Sequence, residues 1–469
     1  MIKPDSTLTT DQKALAINLD HLKYGSIVEI GAGQEVARRF FKVGAAAGTI
    51  AKTMSAYDMA VSDDIYGTVE RYVSRARLEQ MLEREFEQVI ARLASVRPRN
   101  TTFFAYAATV AARSFKQQSD CHGWIGVRIQ LHPGADPSDI ILHVRMLDTD
   151  NVQQSEALGI LGVNLIHGAF FHPNHPEWII DGLADGLGSD RIEIDLIHFA
   201  GSYFEEVDNR LMNLQLIRSW LTRAVIMQPD GSVAVPGELF YRKPVMVIRG
   251  SFKPVTRVNV DMMTAGRSQF SQLETVEESQ IVSLAEITMN TLVSGDNVDP
   301  ADFLARIDLL GALGYTVMIS DYLRFFRLRA YLRNYTRKPI GIVLSVRDFA
   351  SLFDERYYSG LEGGMLEAFG KLFPDNTQVY VYPARPGDGE ALITLETVEV
   401  PGHLRHLLAY LVETGKLLAI DRYDEACLHI DANEVAAALR RGRGPWMEQV
   451  PDAVADRIVG HRLFGFERD

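Results

Sequence analysis

Apolar and polar positions change rhythm along this chain, and the changes mark its elements. Residues 1–22 read as a polar lead-in with a short helix, and 26–30 (SIVEI) as a strand. The stretch 36–63 is helix-compatible and rich in small residues at 44–48, which suggests close packing. From 74 to 97 the period is helical, with Leu78, Leu82, Phe86, Val89 and Leu93 on one stripe and Ser74 as N-cap. Beyond Pro98 the period drops to two. Strands are predicted at 103–110, 124–132 and 140–147, the last two joined as an antiparallel hairpin by the turn-rich 133–137. One hairpin face would carry Arg128, His132, His143 and Arg145, a basic cluster whose default is a solvated face. A helix follows over 151–170, a strand over 191–199, and a helix over 207–227 capped by Asp208.

A Pro/Gly-containing connector at 228–243 precedes a different regime. Strands at 245–248, 315–319, 340–344 and 378–382 alternate with helical stretches at 277–294, 301–313, 322–334 and 347–353, the helix after Asp299 starting at Pro300. Such alternation indicates a parallel sheet with helices on both faces. From about 400 the pattern is mostly helical, with a strand candidate at 427–430. The fold class expected is therefore α/β. It comprises an N-terminal α+β domain with antiparallel strands (1–235), a Rossmann-like parallel α/β domain (240–398) and a helical C-terminal cap (399–469).

Composition narrows the function. The 47% hydrophobic and 23% charged content is that of a soluble globular protein, and the net charge of -13 argues against nucleic-acid and membrane-surface partners. Cys121 and Cys427 are far apart and form no C-x-x-C pair, so neither a disulfide framework nor a cysteine zinc site is expected. The N-terminus lacks a signal peptide's apolar core, and no stretch is long and apolar enough to span a bilayer, so the expected location is cytoplasmic. His167, His172 and His175 straddle a proline without H-E-x-x-H spacing, and no metal site is expected there.

The chemistry concentrates after the strand at 245–248. Arg249-Gly250-Ser251-Phe252-Lys253-Pro254-Val255-Thr256 breaks the strand and leads to a helix start, where backbone N–H groups suit a phosphate. This stretch resembles the first signature of the T/HxGH nucleotidyltransferases, G-[ST]-F-[DN]-P-x-[TH]-x-G-H, through Gly250, Ser251, Phe252, Pro254 and Thr256. It departs from it at Lys253 for Asp/Asn, Val258 for Gly and Asn259 for the second His, which in that family contacts the nucleotide phosphates. Met318 to Arg324 resembles the family's second signature, with Ser320 and Arg324 near its triphosphate-binding Ser and Arg. The stretches GAAAGTIAKTMSAYD, VDNRLMNLQL, RGSFKPVT and EGGMLEAFGKLF resemble a bacterial family of unassigned activity often labelled nicotinate-nucleotide adenylyltransferase.

The resemblance implies a small phosphorylated ligand, with ATP and Mg as the cofactors. Arg249, Gly250, Ser251, Phe252, Lys253, Thr256, Asn259, Ser320, Arg324 and Arg327 would hold it, and no catalytic residue is assigned. Lys253 changes the local charge by about two units relative to Asp, which favours ground-state binding over catalysis. Lys253→Ala is expected to weaken phosphate affinity about tenfold. Two other readings remain: a non-catalytic homo-oligomeric assembly protein, motivated by 44–48 and the terminal LFGF, and a methyltransferase. The last rests on Glu29-x-Gly31-x-Gly33, which resembles the first motif of the S-adenosylmethionine-dependent methyltransferases. The run 44–53 is not a P-loop, and Gly363-Gly364 at a helix start is as much a turn as a phosphate cradle.

Overall fold

The computed structural model describes residues 8–466 except 32–33, 114–120, 189, 296, 375, 386–389 and 443. Ala32 and Gly33 of the methyltransferase-like motif thus lie outside the described residues. The chain divides into two compact units, Met1–Arg223 and Ala224–Asp469. No helix among the described residues is long and apolar enough to cross a membrane.

The first unit is built on a six-stranded sheet of order β2-β1-β3-β4-β5-β6. Its strands are β1 (Lys23–Ile30), β2 (Ile50–Ser55), β3 (Thr102–Ala111), β4 (His122–Ile129), β5 (Ser138–Met146) and β6 (Ile192–Ala200). β2, β1 and β3 run parallel; β3 to β6 are antiparallel, as the alternation predicted for the hairpin. The parallel half is a correction. The segment 36–63 is not helical throughout: helix Glu35–Lys42 ends, a turn follows, and Ile50–Ser55 pairs with β1. Gly44 and Gly48 are not sites of close approach, because a Cβ on either would meet nothing within 4 Å. They make a tight turn instead, with Gly44 at φ +82° and Ala45 at +59°.

The basic hairpin face is not a cluster of free cations, since Arg128, His143 and Arg145 each meet an acid. Arg128 grips Asp139 opposite it through two hydrogen bonds of 2.8 Å, and Arg145 pairs with Glu193 at 2.7 Å. His143 is buried against Asp195 at 2.5 Å, and His132 sits exposed in the turn. Helix Arg75–Leu93 covers this face, its Leu82 side chain 3.1 Å from where a Gly126 Cβ would be. Ser74 caps that helix by accepting from Arg77 N–H. The histidines near 170 stack on aromatic rings, His167 on Phe171 and His175 on Trp178. No three His, Cys, Asp or Glu side chains among the described residues are placed to hold a metal.

The second unit begins where a helix was expected. The helix capped by Asp208 ends at Arg218, and Ala224–Met227 is a strand, β7, because its run of four wholly buried apolar residues pairs with a neighbour. β8 (Val233–Ala234), β9 (Val245–Arg249) and β10 (Val282–Thr288) follow, then a two-stranded ribbon of β11 (Val293–Ser294) and β12 (Asn297–Val298). β13 (Thr316–Ser320), β14 (Ile340–Ser345), β15 (Thr377–Tyr382) and β16 (Leu417–Ala419) complete the set. The stretch 277–294 is thus mainly strand, its apolar VSLAEIT buried between β9 and β13. The C-terminal strand is β16, and Glu425–Cys427 is a 3-10 turn.

The sheet order is β16-β15-β14-β9-β10-β13-β7-β8, with β16 to β13 parallel and β7 and β8 antiparallel at one edge. Counted along the chain, the six parallel strands lie in the order 3-2-1-4-5-6, that of the Rossmann sheet. β9 pairs on both sides and is covered on both faces, as its unbroken apolar run predicted. Val245 and Val247 join the core with Leu328, Leu332 and Phe369, while Met246 faces Gly341 and Phe270 of helix Arg257–Phe270. The strand order reverses between β9 and β14, and their carboxyl ends open the crevice where such sheets bind ligands.

Candidate functional site

The loop leaving β9 is held by its own side chains. Phe252 adopts φ +48°, and its buried ring lies under Gly250, where a Cβ would approach it to 3.0 Å. Gly250 is therefore needed to let Phe252 turn inward, which anchors the bend. The Lys253-Pro254 peptide is cis. Lys253 Nζ ion-pairs with Asp302 at 2.7 Å, and Asp302 also pairs with buried Arg306. Arg306 donates to the Ser251 and Thr291 carbonyl oxygens at 3.1 and 3.0 Å. Asn259 Oδ1 accepts from both the Thr256 N–H and its hydroxyl, at 3.0 and 2.9 Å. Thr256 and Asn259 thus close the N-terminus of helix Arg257–Phe270. Of the motif residues, Gly250, Phe252, Thr256 and Asn259 shape the loop, and Ser251 stays exposed at its outer turn.

Arg249 is equally committed. Its guanidinium forks onto wholly buried Glu286 of β10 at 2.8 and 2.9 Å and donates to the Tyr322 and Leu323 carbonyls at 2.7 and 3.0 Å. Ser320, at the end of β13, donates its hydroxyl to the same carboxylate at 2.6 Å. One glutamate therefore ties together the carboxyl ends of three neighbouring strands, and both Arg249 and Ser320 are spent on it.

What stays available is Arg324. It stacks over Tyr357, 3.8 Å from guanidinium carbon to ring centroid, and uses Nε alone, toward the Tyr357 carbonyl at 3.3 Å. Its terminal nitrogens make no hydrogen bond with the described residues. Arg324 lines a cavity of about 140 Å³ with Arg249, Leu344, Asp348, Ser351 and Tyr357 among its walls. Arg249 and Leu344 belong to β9 and β14, which places this cavity at the switch point. The Asp348 carboxyl is held above its ordinary value because surrounding protein displaces its water; Arg347 opposes the rise and Asp431 adds to it. Burial pushes the Tyr358 hydroxyl up to about 12. Arg327 points outward, exposed, with Phe326 beneath it at 5.9 Å.

No protein-family profile matches this chain, and no curated protein matches it either. Solved structures give partial likenesses. A competence/damage-inducible protein, CihA, from Agrobacterium tumefaciens is 14% identical over 35% of this chain and 96% of its own, at a TM-score of 0.25. A competence-damaged protein (CinA) superfamily member from Enterobacter cloacae is 13% identical over 36% and 96%, at 0.27. A Vibrio parahaemolyticus protein proposed to be a nicotinate-nucleotide adenylyltransferase is 12% identical over 48% and 97%, at 0.19.

Sequence reasoning brought Arg249, Ser320 and Arg324 to one corner but missed the acids that define it. Glu286 was the detectable one, a lone carboxylate inside the apolar run Leu284-Ala285-Glu286-Ile287. A charge so placed signals a buried partner. Asp302, Arg306 and Asp348 carried no comparable signal, since charged residues in helical stretches are ordinary.

Proposed function

We propose that the second unit binds a small phosphorylated ligand, or the phosphate end of a nucleotide, in the switch-point cavity, and that it does not transfer adenylyl groups. Arg324 carries this reading: a stacked, half-buried cation whose terminal donors meet no acceptor among the described residues, set in the crevice of a 3-2-1-4-5-6 sheet. Attraction between a guanidinium and a phosphate 4 Å apart is worth about 1–4 kcal/mol at the screening of such a surface. Stacking on Tyr357 fixes the plane of the fork and reduces what binding must order. A cavity of about 140 Å³ suits a phosphoryl group with a few further atoms rather than a whole dinucleotide.

The case against adenylyl transfer is chemical. Transfer needs donors that meet charge developing on the reacting phosphate. Lys253 and Arg249 hold Asp302 and Glu286 instead, and Asn259 closes a helix. Calorimetry with ATP and magnesium, pyrophosphate and ribose 5-phosphate tests the reading. At least one should bind, and Arg324→Ala should weaken it tenfold or more with wild-type folding retained. Absence of binding by all three ends this reading, as does unchanged affinity in the variant. Efficient pyrophosphate release from ATP and a mononucleotide would overturn its second half.

A further inference from the structure

At the other end of the same sheet, beside the amino ends of β14 and β15, two arginines share neutral acceptors and a third lies near them. Arg329 and Arg333 lie one turn apart on helix Phe325–Arg333, and Arg337 sits in the link to β14. Thr377 Oγ1, at the start of β15, accepts from Arg329 Nε and from a terminal Arg333 nitrogen, both at 3.5 Å. Two guanidinium groups therefore meet one hydroxyl. Asn376 Nδ2 donates to the Arg337 carbonyl at 2.9 Å, tying the third arginine's backbone to the same corner.

Arg333 is only 9% exposed. Its donors go to the Thr336 and Lys338 carbonyls at 3.1 and 2.8 Å and to Asn376 Oδ1 at 2.9 Å. None of these acceptors carries charge. The other arginines buried to this degree among the described residues are Arg77 and Arg306, and each holds a carboxylate, Asp63 and Asp302. No ion pair among the described residues reaches Arg329, Arg333 or Arg337. Burial brings the Arg333 pKa down to about 10, and the charges of Arg329 and Arg337 push the same way. Arg329 is lowered likewise, by burial and then by Arg337. A buried charge without a counter-charge is costly, and adjacent like charges add to the cost.

We infer that Arg329, Arg333 and Arg337 form a second anion site, which takes a phosphoryl group or a comparable tetrahedral dianion. Arg333, pinned by four acceptors, is the fixed floor. Half-buried Arg329 and exposed Arg337 supply the donors that reach the ligand. Planar guanidinium donors match phosphate oxygens in pairs, and a dianion relieves repulsion among all three cations. The anion is either inorganic phosphate or pyrophosphate, or the phosphate of a larger metabolite. This site does not depend on the switch-point cavity.

Thermal unfolding tests it in pyrophosphate, inorganic phosphate and ribose 5-phosphate, each against sodium chloride at equal ionic strength. The proteins compared are wild type, the double variant Arg329→Gln/Arg337→Gln, and Arg324→Ala. Wild type should melt several degrees higher in at least one phosphate, and which of the three acts best identifies the source. Arg324→Ala should keep a rise. The double variant should lose the part of the rise that Arg324→Ala keeps, and in chloride should melt at or above wild type because repulsion at Arg333 is relieved. An equal rise in chloride overturns the proposal, as does a full response in the double variant or none in Arg324→Ala. A double variant that melts below wild type in chloride assigns these arginines a structural role and overturns it as well.

Discussion

Arg249 and Glu286 face each other across β9 and β10 in a two-pronged ion pair, with the glutamate wholly buried and the arginine near the surface. Removing the cation strands a carboxylate away from water. Arg249→Ala should therefore cost about 3–5 kcal/mol of unfolding free energy, while Arg249→Met with Glu286→Leu should recover much of that loss. Urea denaturation of the three proteins checks it. An Arg249→Ala variant as stable as wild type would mean the pair has no structural role.

Lys253 is the residue whose place in the structure changes its expected role most. Its ammonium, 45% exposed, is engaged by Asp302, which Arg306 also holds. Lys253→Ala should shift phosphate-ligand affinity by less than about threefold, instead of the tenfold the motif implies, and stability by about 1 kcal/mol or less. Calorimetric titration of the variant decides, and a tenfold, salt-dependent loss would restore Lys253 as a ligand-binding group.

Glu29, at the end of β1, predicts a pH dependence for the first unit. Burial pushes its carboxyl from an ordinary 4.5 up to about 8; the Ala37 and Val36 N–H groups oppose the rise and Glu35 adds to it. The native form thus holds a proton that the unfolded chain gives up. That contribution to stability is complete below about pH 4.5 and is lost as pH climbs toward 8, by up to a few kcal/mol. Glu29→Gln keeps a neutral side chain throughout. Denaturation at pH 5 and pH 8 should show the wild type losing more stability than the variant. Equal losses would rule the effect out.

Val247 has no exposed surface and lies between two hydrogen-bonded neighbours. Val247→Asp places an unpaired charge in that layer and should cost several kcal/mol, seen as insolubility or a collapsed melting temperature. A soluble variant with unchanged melting would contradict the central position of β9.

Where periodicity was strong, the fold was legible. The helix at Arg75–Leu93, the β4–β5 hairpin and the buried β9 follow from stripe, alternation and unbroken apolar run respectively. Three strands were hidden for a common reason. Ile50–Ser55, Ala224–Met227 and Val282–Thr288 each adjoin a helical turn or run, so a window spanning both reads as one helix, and only pairing with a distant strand separates them. The site was legible as a place and not as a charge balance. The run 249–256 marks the crevice, yet the partners of Arg249 and Lys253 lie 37 and 49 positions further along the chain, and no local pattern announces them.

The eight-stranded sheet ends at one side in a strand of two residues, Val233–Ala234, and at the other in one of three, Leu417–Ala419. Strands this short expose too few backbone donors and acceptors to template another chain. The long parallel interior, rich in valine and isoleucine, would be a hazard if its rim were open. Sealed by two stubs, it is guarded against edge-to-edge aggregation and offers little purchase for strand addition.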